Sequence, residues 1–231
     1  MRLFTIDFGI ALTALGLLSP ALAGAQSIPS PFAYIERGAE VGVYGGVMNS
    51  GAGRFGYGPT GGPIMGAHYA LELPGPLSIG GGVGFIKSER DVIDPGRAEG
   101  DRLIGRADAS IVTIDARIRF TFTGRRTWHR LAPYFTAGGG IALDASSENA
   151  LDQILLPEDQ FDFGTSFFGT FGLGTRWFLT DRIVIRPEWN FSLWKVDTPP
   201  GYADPDRDFP GVADGEWLQG TRLSIGLLYR W

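Results

Sequence analysis

The last ten residues of the chain constrain its fold more than any other feature. In Arg222-Leu223-Ser224-Ile225-Gly226-Leu227-Leu228-Tyr229-Arg230-Trp231, the side chains of Leu223, Ile225, Leu227, Tyr229 and Trp231 fall on one face of an extended chain. Arg222, Ser224, Gly226 and Arg230 fall on the other, with Leu228 the apolar exception. Alternation with period two belongs to a strand; a helix face repeats near every 3.6 residues. The same order recurs upstream. Val41, Val43 and Val47 alternate with Glu40, Gly42, Tyr44 and Gly46, and Tyr69 and Leu71 with His68, Ala70 and Glu72. Leu77, Ile79, Val83 and Phe85 alternate with Ser78, Gly80, Gly82 and Gly84. Val112, Ile114, Ile118, Phe120 and Phe122 alternate with Thr113, Asp115, Arg117, Arg119 and Thr121. Three further segments, around Phe135–Leu143, Phe167–Leu179 and Ile183–Leu193, repeat the pattern.

That makes eight candidate strands, each read as near the 9–11 residues of a tilted membrane strand. Their connections alternate in length. Short ones lie at Pro74-Gly75-Pro76, Gly124 to Leu131 and Thr180-Asp181; long polar ones span about Asn49 to Gly61, Ser88 to Arg106, Asp144 to Asp162 and Asp197 to Glu216. Short turns at one end and long loops at the other are the rhythm of an up-and-down barrel across a membrane. The expectation is therefore all-β: an eight-stranded antiparallel up-and-down transmembrane β-barrel over residues 38–231.

Magnitude decides which face points outward. An Arg on the lipid face near the midplane costs roughly 2–4 kcal/mol, and Asp115, Arg117 and Arg119 share one face of one strand. The polar face must point inward, where isolated charges need partners. The expected lumen network consists of Glu40, Glu72, Asp115 and Glu188 with Arg117, Arg119, Arg176, Arg186, Arg222 and Arg230. Inward glycines such as Gly84, Gly138 and Gly174 make room for Arg and Tyr side chains, and eight strands leave a lumen that side chains can fill. Outward aromatics sit near both ends: Phe120, Phe122, Phe135, Trp177, Tyr229 and Trp231 toward the short turns, and Phe85, Phe167 and Phe191 toward the long loops, as interfacial girdles require.

The N-terminus reads as a leader. Arg2 precedes an apolar run from Phe8 to Leu18, then Pro20 and Ala21-Leu22-Ala23, an A-x-A-like cleavage site. Residues 1–25 are expected to be the signal peptide and residues 26–37, with Pro29 and Pro31, a flexible arm. No later run reaches the roughly 18 apolar residues of a helical span. The chain has no Cys, which excludes thiol catalysis and disulfides, and its net charge of −5 without a basic run argues against nucleic acid as a partner.

The final strand, with aromatic Trp231, Tyr229 two before it and Leu223, Ile225 and Leu227 upstream, resembles the terminal assembly signal of outer-membrane barrels. The stretch from Gly172 to Trp189 and the segment Pro133-Tyr134 followed by Gly138 to Gly140 resemble strands of the small OmpA-like and OmpX-like barrels. That resemblance implies a location in the bacterial outer membrane, lipid and lipopolysaccharide as surroundings, and recognition of the last strand by the barrel-assembly machinery. Pro187 departs from the pattern: it lacks an N–H for the ladder, so a bulge or distortion is expected there.

Function then divides three ways. The leading reading is a non-enzymatic barrel with a closed, charged lumen, serving envelope integrity or surface interaction through its loops. The alternative is a narrow OmpW-like conduit for small or apolar molecules. A lipid A-modifying enzyme is less favoured. The family deacylases carry His-x-Ser, whereas His68 is followed by Tyr69 and Ala70, and His129 falls in a short turn. No catalytic residue, cofactor or metal site is expected. The acidic last loop (Asp197, Asp204, Asp206, Asp208, Asp214, Glu216) matches no cation-binding spacing and is read as solvated. Arg90, Arg97, Arg102 and Arg106, interleaved with acids, are read the same way rather than as lipid-phosphate contacts. The sequence names no external partner.

Overall fold

A computed structural model describes residues 30–231 except 37, 148 and 208. The leader and the first residues of the arm lie outside the described residues. Ten strands follow in order: β1 (Phe32–Tyr34), β2 (Ala39–Ser50), β3 (Gly61–Glu72), β4 (Leu77–Ile93), β5 (Leu103–Thr121), β6 (Arg126–Trp128), β7 (Leu131–Asp144), β8 (Thr165–Phe178), β9 (Ile183–Asp197) and β10 (Gly215–Arg230). Among the described residues there is no α-helix, only short 3₁₀ turns in the loops.

The eight long strands pair antiparallel with their neighbours, and β10 closes the sheet onto β2. Partners can be followed once round the wall: Glu40, Ala70, Gly80, Arg117, Gly138, Thr170, Ser192, Gly220 and finally Ser50, back on β2. The circuit returns ten residues further along the strand it left, from 40 to 50. With eight strands about 4.8 Å apart and about 3.3 Å of rise per residue, that stagger tilts the strands by about 40°.

The alternation maps onto the two faces of this wall. Val43, Val47, Met65, Val83, Ile118, Leu173, Leu223, Ile225 and Leu227 point out, while Glu40, Asp115, Arg119, Arg176, Glu188 and Arg222 are buried inside. Toward the loop end, exposed Lys87, Glu89 and Lys195 succeed the apolar outward residues and mark the upper border of the greasy band.

Three expectations are corrected. The strands run from 12 to 19 residues, longer than expected. The second long loop shrinks accordingly: β4 and β5 continue as a paired ribbon, Lys87↔Ser110 to Ile93↔Leu103, through most of the segment from Ser88 to Arg106. Alternation persists there, with Val92 and Ala107 turned inward and buried, but polar outward residues mask it in sequence. Pro187 brings the expected local distortion, without a bulge. It stays in register with Ile225 on β10, and toward β8 the ladder skips locally and resumes unshifted, from Trp177↔Ile185 to Gly174↔Glu188. The arm is structured where described: Phe32, Ala33 and Tyr34 pair with Trp128, Thr127 and Arg126, and Ile35 is buried.

The turn between β6 and β7 is the tightest among the described residues. His129 and Arg130 both take left-handed backbone angles (φ 48° and 66°), flanked by the Trp128↔Leu131 pair. That is the geometry of a two-residue hairpin, ordinarily occupied by Asn-Gly.

Candidate functional site: a sealed lumen

Three layers fill the barrel from the short-turn end to the loops. The lowest is apolar. Ile35 of the arm, Ala132, Phe178, Val184 and Leu228 form one buried cluster, so Leu228, the exception in the last strand's alternation, faces this layer. Arg230 lies here too. It donates to the Glu36 carbonyl at 2.9 Å and packs over the Phe178 ring, and it pairs with none of the lumen carboxylates. Of the ten expected lumen residues, it alone stands outside the ion pairs.

The middle layer is ionic and has two groups. In the lower one, Arg119 donates to Glu40, to Glu72 at 3.2 Å and to Ser78 at 3.2 Å, while Arg176 donates to Glu72 and, at 3.5 Å, to Glu40. In the upper one, Arg117 donates to both oxygens of Asp115 at 2.5 and 2.8 Å and to Glu188 at 3.1 Å. Glu188 also accepts from Tyr134 at 2.5 Å, Asn190 at 2.7 Å and Arg222 at 3.3 Å, with Arg186 at 3.6 Å. The residues come from strands all round the wall, so the sheet can bring them together only by closing. Small residues permit it: a Cβ on Gly66 or Gly84 would meet the Tyr44 ring or hydroxyl at 2.5–2.7 Å, and one on Gly174 would meet the Tyr134 hydroxyl at 2.5 Å.

The top layer went unrecognised in the sequence. Tyr44, Met48, Ile64, Ile86, Ile111, Phe168, Trp194 and Leu218 point inward from the strands and meet Tyr57, Phe161, Phe163 and Tyr202 from three different loops, with Phe55, Phe209 and Val212 packed alongside. Ring contacts stitch the loops together, Phe55–Tyr202 at 4.7 Å and Tyr57–Phe161 at 4.8 Å among them. Burial pushes the Tyr57 and Tyr202 hydroxyls above their ordinary ionisation range. A signal did exist. Met48, Ile64, Ile86, Ile111, Phe168, Trp194 and Leu218 are apolar at inward positions, so near the loop ends both faces of the strands are greasy. Ile64↔Ile86↔Ile111 and Phe168↔Trp194↔Leu218 are even direct cross-strand partners.

The loop charges are mostly spent on one another. Arg90 pairs with Asp152 at 2.5 Å, Arg97 with Asp94 at 3.0 Å and Arg106 with Asp91 at 3.3 Å, while Arg102 stacks over Phe209. In the last loop, Asp204 sits 3.4 Å from Arg207, and Glu216 accepts from the Arg54 backbone at 2.8 Å. Asp208 lies outside the described residues. No cluster of three metal-ligating side chains occurs among the described residues. His68 points inward against Arg186, and His129 sits in the β6–β7 turn. Leu223, Ile225, Leu227, Tyr229 and Trp231 of the expected assembly signal all face outward and are exposed.

OprG, an outer-membrane protein of Pseudomonas aeruginosa, has a similar structure: TM-score 0.52 and 10% identity over 87% of this chain and 99% of that one. The fold is that of a small outer-membrane β-barrel. Neisserial surface protein A is aligned at TM-score 0.47 and 12% identity over 87% of this chain and 98% of that one. The N-terminal barrel domain of P. aeruginosa OprF is aligned at 0.40 and 13% over 84% and 99%. At such identities the likeness concerns fold alone. No family model matches the sequence, and no curated protein sequence does.

Proposed function

We propose that this chain is exported to a bacterial outer membrane and works there as a closed, non-enzymatic barrel. It braces the membrane and presents a rigid loop cap to the outside. The observation that carries this reading is the triple seal of the lumen: the apolar floor around Phe178 and Leu228, the guanidinium–carboxylate layer around Glu40 and Glu188, and the aromatic cap around Tyr57 and Tyr202. A conduit needs a continuous polar or apolar path, and these layers offer a solute neither. The exposed band of Val43, Val83, Ile118, Ile225 and Leu227 supports lipid as its surroundings, because a patch of this extent in water would drive association. The outward face of β10, ending in Tyr229 and Trp231, fits the role of the strand read by the barrel-assembly machinery. The charged rim and capped loops suit contact with lipopolysaccharide headgroups.

The test is conductance. Purified protein inserted in planar bilayers should give no steady unitary currents, and steady channels would favour the OmpW-like conduit instead.

A further inference from the structure

The ionic layer is unbalanced. Five buried or nearly buried guanidinia (Arg117, Arg119, Arg176, Arg186 and Arg222) face four carboxylates, Glu40, Glu72, Asp115 and Glu188. A net positive charge held away from water is costly and calls for a counter-ion.

The shortfall falls on Arg186, which is 8% exposed. Its Nε meets no hydrogen-bond acceptor among the described residues; the Glu188 carboxylate stands off at 3.6 Å. Its two terminal nitrogens lie 2.7 and 3.1 Å from the two ring nitrogens of His68. A guanidinium only donates, and a neutral imidazole has only one acceptor nitrogen. One of those two contacts therefore sets donor against donor. Arg186 thus has one true acceptor, His68, for a cation built to serve several.

Beside it lies a space of about 40 Å³ lined by three guanidinia, Arg117, Arg119 and Arg186, against two carboxylates, Asp115 and Glu188, with His68 and the glycine run Gly80–Gly82 completing the wall. A Cβ on Gly82 would come within 3.2 Å of the Ala67 carbonyl and 3.5 Å of Asp115 and His68, so the missing side chain sets the wall back there. The space exceeds the roughly 10–15 Å³ that one water needs, and it adjoins the under-served cation.

We propose that this pocket is a binding site for a small monovalent inorganic anion of the halide class, held by Arg186 and by the N–H of His68, which turns from the guanidinium to the anion. The anion neutralises the unmatched guanidinium and completes the ionic layer. A divalent anion would overshoot the single excess charge.

The test uses the whole barrel refolded in detergent with sodium bromide as the only salt. In crystals of that protein, anomalous scattering at the bromine edge should show a peak beside Arg186 and His68. Its absence, or water density in its place, would overturn the proposal. In solution, the urea midpoint of the wild type should be higher in sodium chloride than in sodium gluconate at equal ionic strength, and Arg186→Gln should lose that difference. A midpoint that is the same in both salts for the wild type counts against the site. A bromide peak that survives Arg186→Gln refutes the assignment to this residue. If Arg186→Gln does not refold, His68→Phe takes its place with the same two readouts.

Discussion

The middle of the lumen and its loop end are closed by opposite means. The middle is bridged by charges fixed on the wall, most of them held by partners on other strands, as Arg117 of β5 is by Glu188 of β9. The loop end is closed by neutral rings, most of them carried on loops, and Tyr202 of the last loop touches Phe55 and Tyr57 of the first. A fixed ionic layer tolerates no missing partner, because removing one leaves its mate charged and buried. A ring cluster loses area and leaves a cavity, a milder and more local penalty.

The largest effect therefore belongs to the middle. Glu40 is fully buried between Arg119 and Arg176. Glu40→Gln should lower the unfolding free energy by about 3–5 kcal/mol, read from urea titrations in detergent and from loss of the compact gel band. Tyr202→Ala should cost about 3 kcal/mol and expose the loops to protease while the strands stay protected. The two substitutions share no partner, so the double variant should equal their sum within about 0.5 kcal/mol. A large coupling would mean the layers are one unit after all.

A smaller, pH-dependent effect separates the layers further. Burial raises Tyr57 and Tyr202, so the folded cap holds neutral phenols that the unfolded chain ionises near pH 10. The sign follows: the stability they contribute is whole below about pH 10 and declines as pH rises beyond it. Loop proteolysis should increase from pH 9 to 11. The smallest effect is Tyr202→Phe. Its buried hydroxyl has no hydrogen-bond partner among the described residues, so its loss should be neutral or stabilising by up to about 1 kcal/mol. The same change should blunt the alkaline loosening.

The contrast also explains what sequence alone discloses. The wall is legible because period two is a local rule: Leu223 to Trp231 display it without reference to any other strand. The lumen charges are legible for the same reason, since Asp115, Arg117 and Arg119 alternate with Ile114, Ile118 and Phe120. Their pairing is not legible, because Arg117 and Glu188 lie 71 positions apart and only the stagger of the closed sheet brings them within 3.1 Å. Nor was it visible that Arg230 would settle against a backbone carbonyl. The cap escaped altogether. Its members Phe55, Tyr57, Phe161, Phe163, Tyr202 and Phe209 are single aromatics scattered through polar loops, and nothing local shows that they converge. The double-faced greasiness at Ile64, Ile86 and Ile111 was the clue, and it reads as broken alternation unless the loop end is allowed a core of its own.

All of this depends on a sheet that meets lipid with one face and encloses its charges with the other. The chain has no Cys, so a single spin label can be placed cleanly. With Ile225→Cys labelled and the protein reconstituted in lipid vesicles, collision with oxygen should be high and collision with a water-soluble nickel chelate low, as for a site within the hydrocarbon. A label at Ile225 that meets the nickel chelate as freely as one placed at Lys195 would contradict the account.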